Sequence, residues 1–397
     1  MTIYKEGSAV LFDVGAVAGS VPSRKDDVFY NVDMKHQRDV FVAVMNSFKR
    51  FPSGRSLSVG LAMEASGVRA IRLTKECALT FSKQNGNELR IFANDFDETA
   101  IKSLRHNLKE NNVNVSAITQ LNADEFFATS EGLDIIDIDP FGGPGPFIDG
   151  AVKRLSRGGL LCVTATDTAP LCGVFPDVCL RKYWATPSHD MSMNEWAVRI
   201  LVRYCQLIGA QYDKALIPIL CYKKDHYVRL YLQCKKSKEL SSEIVAAHGV
   251  VFVNEKSGEI SKVAKKGFAL VGPMYLGPLV DSSAFDEKKF RATVSDAWAD
   301  RLFDVNSVGR NTVGYFTVPQ MCSLHKIGPQ PSVSQVLTAL RTKNKKQKKQ
   351  IFAYESLDFV ESIKSNCSYK EFVSALRSVG IKKKNKRAVL TKKKKEE

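Results

Sequence analysis

The chain contains no Cys-x-x-Cys pair, no Gly-x-Gly-x-x-Gly and no long apolar run, and each absence removes a class of function. Its nine cysteines are odd in number, and Cys162, Cys205 and Cys221 lie inside apolar stretches. That argues against a disulfide scaffold or a thiolate zinc site; the thiols read as reduced core residues of an intracellular protein, with no metal site. A membrane span needs about 18 consecutive apolar residues, so no membrane-embedded partner is expected. The start, Met1-Thr2-Ile3-Tyr4-Lys5-Glu6-Gly7, lacks the basic and apolar regions of a signal peptide, which points to nuclear or cytosolic residence rather than secretion. Without a glycine fingerprint the backbone has no ready cradle for a pyrophosphate, which disfavours a dinucleotide. Acidic excess is missing too. The formal net charge is +16, and residues 341–397 hold 18 Lys/Arg against 6 Asp/Glu, leaving only +4 for the rest. Such a distribution favours a polyanionic partner, with nucleic acid first.

What is present is a strand–helix alternation. Strands are expected over Ser56–Leu61, Leu89–Ala93, Val115–Leu121, Leu133–Ile138 and Gly159–Thr164, with a closing hairpin over Ala215–Tyr222 and Tyr227–Cys234. Helical spacing marks Val40, Val44 and Phe48, with Asp33 as a possible cap; further helices are expected over Glu98–Asn107 and about Asn194–Leu207. The pattern predicts an α/β fold, a mainly parallel sheet covered on both faces. Seven strands with a final hairpin match the Rossmann-like architecture of class I methyltransferases that use S-adenosyl-L-methionine. At 397 residues two domains are expected. Residues 1–235 form the first and 236–397 a smaller α+β domain with basic segments 341–349 and 382–395.

The fourth expected strand ends in Asp139-Pro140-Phe141-Gly142. Proline cannot continue a central ladder, so the strand turns there. In open α/β sheets, ligands bind just outside the carboxyl ends of strands. A carboxylate and the Pro140 carbonyl can accept hydrogen bonds from an exocyclic amine, and the ring of Phe141 can stack on a planar base. The plainer alternative is a tight turn with Phe141 filling core. Asp95, just after the second strand, occupies the position that binds ribose hydroxyls in dinucleotide folds. Asp95 and Asp124 are either ligand contacts or strand-end caps.

These residues resemble those of the tRNA (guanine-26-N2)-dimethyltransferase family. The matching stretches are Phe29-Tyr30-Asn31 with Arg38-Asp39, Ala65-Ser66-Gly67-Val68-Arg69, Asn94-Asp95, Asp137-Ile138-Asp139-Pro140-Phe141-Gly142, Val163 to Gly173, Arg181-Lys182-Tyr183, Glu195 to Arg199, and Gly272 to Leu279. The resemblance implies transfer of two methyl groups from S-adenosyl-L-methionine to N2 of guanosine 26 in tRNA. It implies that Arg38 and Arg69 contact the methionine part of the cofactor, Asp95 its ribose or adenosine, and Asp124 with Glu125 its adenine. It makes Asp139 the catalytic acid and Phe141 the neighbour of the target base. The chain departs from the family at Val32, Gln37 and Asn194, and His248 to Phe252 carries no cysteine cluster. Rival readings are an N2-methyltransferase for another tRNA position and a non-catalytic tRNA-binding chaperone. The two basic segments are phosphate contacts, solvated tails or nuclear localisation signals; no obligate protein partner is evident.

Overall fold

The computed structural model describes residues 3–17, 28–85, 88–304, 312–347, 351–357 and 361–380. The basic segment 382–395 lies outside the described residues, as do 348 and 349 of segment 341–349. At the centre is a seven-stranded sheet: β1 (Leu57–Leu61), β2 (Leu89–Asn94), β3 (Ala117–Thr119), β4 (Leu133–Ile138), β5 (Leu155–Ala165), β6 (Lys214–Lys224) and β7 (Tyr227–Lys236). Their order across the sheet is β3-β2-β1-β4-β5-β7-β6. The first five are parallel, and β7 runs antiparallel between β5 and β6. All seven expected strands are therefore present, and the fold is the class I methyltransferase architecture. The chain winds outward from β1 to β3 and returns to β4 on the other side. That reversal opens a crevice at the carboxyl ends of β1 and β4.

β4 is buried throughout despite two acids. Its interruptions are paired: Asp134 takes two bonds from Arg55, at 2.8 and 2.6 Å, and one from the Ser58 amide at 3.0 Å. Asp137 lies between two arginines described below. Buried carboxylates persist in a strand only with such partners.

Helix α1 (Lys35–Ser47) buries Val40, Phe41, Val44 and Met45 beside the sheet. Asp33 is not its cap, contrary to expectation. The Asn31 side chain instead accepts from the Asp33 amide at 2.8 Å and opens a 3-10 turn, Val32–Met34, that leads into α1. The turn-rich start of the chain forms a hairpin, Ile3–Glu6 with Ala9–Phe12. The long helix α2 (Met193–Ala210) packs under β6.

One continuous apolar core runs from Ala9 through the sheet and across residue 235 to Phe303, and takes in Tyr354. A smaller core, including Phe316, Met321, Val336, Leu340, Ile363 and Phe372, gathers the helices Val333–Gln347 and Tyr369–Val379 about a three-stranded sheet. No helix among the described residues is long and apolar enough to cross a membrane.

Candidate active site

The loop after β4 carries Asp139, buried Pro140 and Phe141 at the crevice. Gly142 follows with φ +93°, a left-handed conformation that costs glycine little. Its amide donates to Thr166 Oγ1 at 2.8 Å and its carbonyl accepts from the Thr166 amide at 3.0 Å. The loop is thereby fastened to the end of β5. Phe141 is 68% exposed, its ring edge-on to Phe29 with centroids 4.5 Å apart. It is not a core filler.

Behind the loop lies a charge lattice. The Arg69 side chain reaches Asp137 at 2.9 Å, donates to Gln37 Oε1 at 2.8 Å and pairs with Asp139. Arg229 pairs with the other Asp137 oxygen at 2.7 Å and donates to Thr164 Oγ1 at 2.8 Å. Gln37 Nε2 donates to the same hydroxyl at 2.9 Å. Burial pushes the Asp139 carboxyl up, but Arg69, Arg229 and the Thr164 hydroxyl outweigh it and hold the group below the usual carboxylate range. Asp139 nonetheless keeps 18% of its side chain exposed, against 2% for Asp137. It is the carboxylate of this lattice that can meet an incoming donor.

A second lattice holds the N-terminal hairpin. Glu6, 1% exposed, accepts from Arg38 Nε at 2.8 Å, from Arg72 Nη1 at 2.9 Å and from the Tyr30 hydroxyl at 2.6 Å. Arg38 also donates to the Asn31 carbonyl at 2.9 Å. Burial works against the Glu6 charge, but Arg38, Tyr30 and Arg72 bring its pKa down to about 2. Arg38 and Arg69, which the resemblance assigns to a ligand's carboxylate, are thus held here by protein carboxylates.

On the other side of the crevice, the loop after β1 passes through Glu64, Ala65 and Gly67. Gly67 has φ +84°, a left-handed backbone that favours glycine, and a Cβ there would also crowd Leu104 Cδ1 at 2.8 Å. Asp95 accepts from the Ala65 amide at 2.9 Å and from the Asp97 amide at 3.1 Å, and burial raises its pKa. It fastens the β1 loop to the end of β2. Asn94, at the end of β2, does the same for the loops after β1 and β3: Nδ2 donates to the carbonyls of Ala62 and Leu121 at 3.0 and 2.9 Å, and Oδ1 accepts from the Leu121 amide at 3.1 Å. Asp124 and Glu125 are exposed in the first turn of Ala123–Thr129, which starts just beyond β3. The acids therefore line one edge of the sheet in strand order.

Several residues of this site escaped the sequence reading. Arg229 was detectable as a cation inside an apolar strand. Gln37 stood out only as a departure from the family pattern. Glu64 accepts from the Ala70 amide at 2.8 Å with one oxygen, while the other is buried without a hydrogen-bond partner, and burial lifts its pKa to about 8. Phe96, beside Asp95, is 71% exposed, which no local sequence signal foretells.

A family model described as N2,N2-dimethylguanosine tRNA methyltransferase matches residues 12–377. A tRNA (guanine(26)-N(2))-dimethyltransferase of Methanocaldococcus jannaschii is 34% identical over 342 residues, covering 83% of this chain and 88% of that relative. A tRNA (guanine(26)-N(2)/guanine(27)-N(2))-dimethyltransferase of Aquifex aeolicus is 30% identical over 355 residues, covering 84% and 88%. Among solved structures, Trm1 from Pyrococcus horikoshii in complex with S-adenosyl-L-methionine superposes with a TM-score of 0.75 at 25% identity, over 95% of this chain and all of that one.

Proposed function

Because the chain belongs to the N2,N2-dimethylguanosine tRNA methyltransferase family, we propose that it places two methyl groups on N2 of guanosine 26 in tRNA, with Asp139 as the group that handles the amine proton. The protein is an S-adenosyl-L-methionine-dependent tRNA guanine-N2 methyltransferase. The observation that carries the assignment of Asp139 is its partly open carboxylate at the end of β4, followed two residues on by the exposed ring of Phe141.

The crevice suits the cofactor. Glu64 holds a buried oxygen without a hydrogen-bond partner, Gly67 sets the β1 loop close against Leu104 of the helix Glu98–Glu110, and Phe96 presents a bare ring beside Asp95. In our reading Arg38 and Arg69 hold the methionine carboxylate, a task suited to planar guanidiniums. Asp95 takes the ribose, and Asp124 with Glu125 the adenine side. When bound, S-adenosyl-L-methionine supplies a methyl group already activated on sulfonium.

Guanine N2 is a poor nucleophile because its lone pair is delocalised into the ring. Asp139 accepts a hydrogen bond from one N2–H and the Pro140 carbonyl from the other, turning the lone pair out of conjugation. Alignment for in-line attack then supplies much of the rate. Once N2 bears the new carbon its remaining protons become strongly acidic, so a carboxylate held below the ordinary range is still a competent acceptor. Asp139 takes one proton and passes it to solvent. In the second round a single N–H remains, and the same acceptor serves it. A paired guanine cannot present N2 this way, so the base must leave its stack; Phe141 stacks on it. We assign tRNA docking to residues 236–397, with segments 341–349 and 382–395 contacting phosphates.

The name of the Aquifex aeolicus relative includes guanine 27 as well, which favours position 27 as a second target. Incubation with labelled S-adenosyl-L-methionine and unmodified tRNA transcripts, followed by nucleoside mapping, tests both. Dimethylguanosine at 26 is expected. Label at 27 extends the reading, and no transfer with tight tRNA binding overturns it.

A further inference from the structure

The resemblance includes Arg181-Lys182-Tyr183, yet nothing in the proposed chemistry uses that stretch. It lies in a short helix, Pro176–Tyr183, that ends at Trp184. Apolar side chains are unusually bare here. Val174, Phe175, Leu180 and Trp184 are 49%, 54%, 55% and 47% exposed, and these four fall within eleven residues. Scattered exposed apolar residues need no explanation, but a cluster marks a binding surface. Leu180 and Arg181 are exposed in the last turn of the helix, just before exposed Trp184.

The surface is continuous with the Asp139 loop. Tyr183 places its hydroxyl 2.9 Å from where a Cβ on Gly143 would sit. Its ring meets Tyr204, centroids 5.6 Å apart, and Tyr204 in turn meets Trp184 at 5.2 Å. Lys182 pairs with Asp167 at 3.0 Å, next to the Thr166 that fastens Gly142. Trp184 itself is held in the left-handed region, φ 54° and ψ 42°, with Arg203 donating to its carbonyl at 3.2 Å. A bulky residue rarely adopts that conformation without a constraint that requires it.

We propose that the Phe175–Trp184 face is a docking surface for the tRNA nucleotides that flank the target guanosine, with Phe175 and Trp184, at opposite ends of the helix, each stacking on a neighbouring unpaired base and Arg181 on the adjoining phosphate. Exposed aromatic rings interleaved with Arg and Lys are the side chains that bind unstacked nucleic acid. Extracting one base from its stack leaves its neighbours uncovered, and this face lies beside the pocket where they emerge. The inference rests on the tRNA methylation reading above.

The test compares wild type with the double variant Phe175→Ala/Trp184→Asn; asparagine tolerates the left-handed backbone at 184. Transfer from S-adenosyl-L-methionine to an unmodified tRNA transcript is followed by initial rates. The expected result is a tenfold or greater rise in KM for tRNA, with kcat at saturating tRNA and KM for the cofactor within twofold of wild type. The ring-preserving variant Phe175→Tyr/Trp184→Phe restores the wild-type KM, which a folding defect in the first variant does not mimic. An unchanged tRNA KM in a properly folded double variant overturns the proposal, as does a change confined to self-association or protein binding. Absence of transfer by the wild type contradicts the underlying reading instead, so the two failures are distinguishable.

Discussion

Asp139 and Glu195 are both carboxylates held by two nearby cations, and they differ in what remains of their surface. Glu195, fully buried on α2, accepts from Arg199 Nε at 2.7 Å and from the Gly314 amide at 2.9 Å with one oxygen, and pairs with Lys364 through the other. Arg199 spends its remaining donors on the carbonyls of Tyr275, Gly277 and Thr312, at 2.9, 2.9 and 3.1 Å. This cluster is closed and ties the sheet region to the second core. The Asp139 lattice is as strongly charged but open on one side. Burial and perturbed ionisation therefore mark a buried ion cluster without saying what it is for; an accessible acceptor does.

The comparison breaks if the two carboxylates behave alike on substitution. Asp139→Asn is expected to lower kcat by about 10²- to 10⁴-fold, the range for a lost proton acceptor, with tRNA and cofactor binding largely kept. Glu195→Gln is expected to do the reverse. It leaves buried cations short of their partner and costs about 3–5 kcal/mol of stability, read as a lower urea midpoint, while turnover per folded molecule stays near wild type.

The pH dependence sharpens the same contrast. On the proposed role Asp139 acts as the carboxylate; its folded pKa is depressed, so activity is expected above that pKa and is lost only as pH falls through it. Single-turnover rates are expected to stay level from pH 7 down to about 4, the ordinary carboxylate value; an acid limb near pH 6 contradicts the assignment. Glu6 gives a stability counterpart. Its pKa falls from 4.5 to about 2 on folding. Its contribution, on the order of 3 kcal/mol, is complete above pH 4.5 and disappears as pH falls toward 2. Glu6→Gln is expected to flatten stability in that window and, by loosening Arg38, to raise KM for the cofactor severalfold. Phe141→Ala is expected to lose about 1–3 kcal/mol of base stacking, seen as a higher tRNA KM.

Much of the sheet was legible because each strand announces itself locally. Apolar runs such as Leu133–Ile138 and Leu160–Val163 end in turn residues, and the closing hairpin is marked by Asp225-His226 between two such runs. The position of Asp139 at a strand end followed from Pro140 alone. What surrounds it did not. Arg69 and Asp139 stand 70 residues apart, and Glu195 and Lys364 stand 169 apart. No periodicity records a pairing over such distances. The α1 start differs for a smaller reason: Asn31 and Asp33 are both good caps, and Asn31 takes the Asp33 amide to open a 3-10 turn ahead of α1. Glu6 was unreadable as a partner because the hairpin that carries it is short and turn-rich.

The most direct measurement is nucleoside analysis of tRNA transcripts after incubation with labelled S-adenosyl-L-methionine and either wild type or Asp139→Asn. The account predicts N2,N2-dimethylguanosine at position 26 with the wild type, and formation slowed by about 10²- to 10⁴-fold with a variant that still binds tRNA and cofactor. Dimethylguanosine formed by Asp139→Asn at the wild-type rate contradicts it.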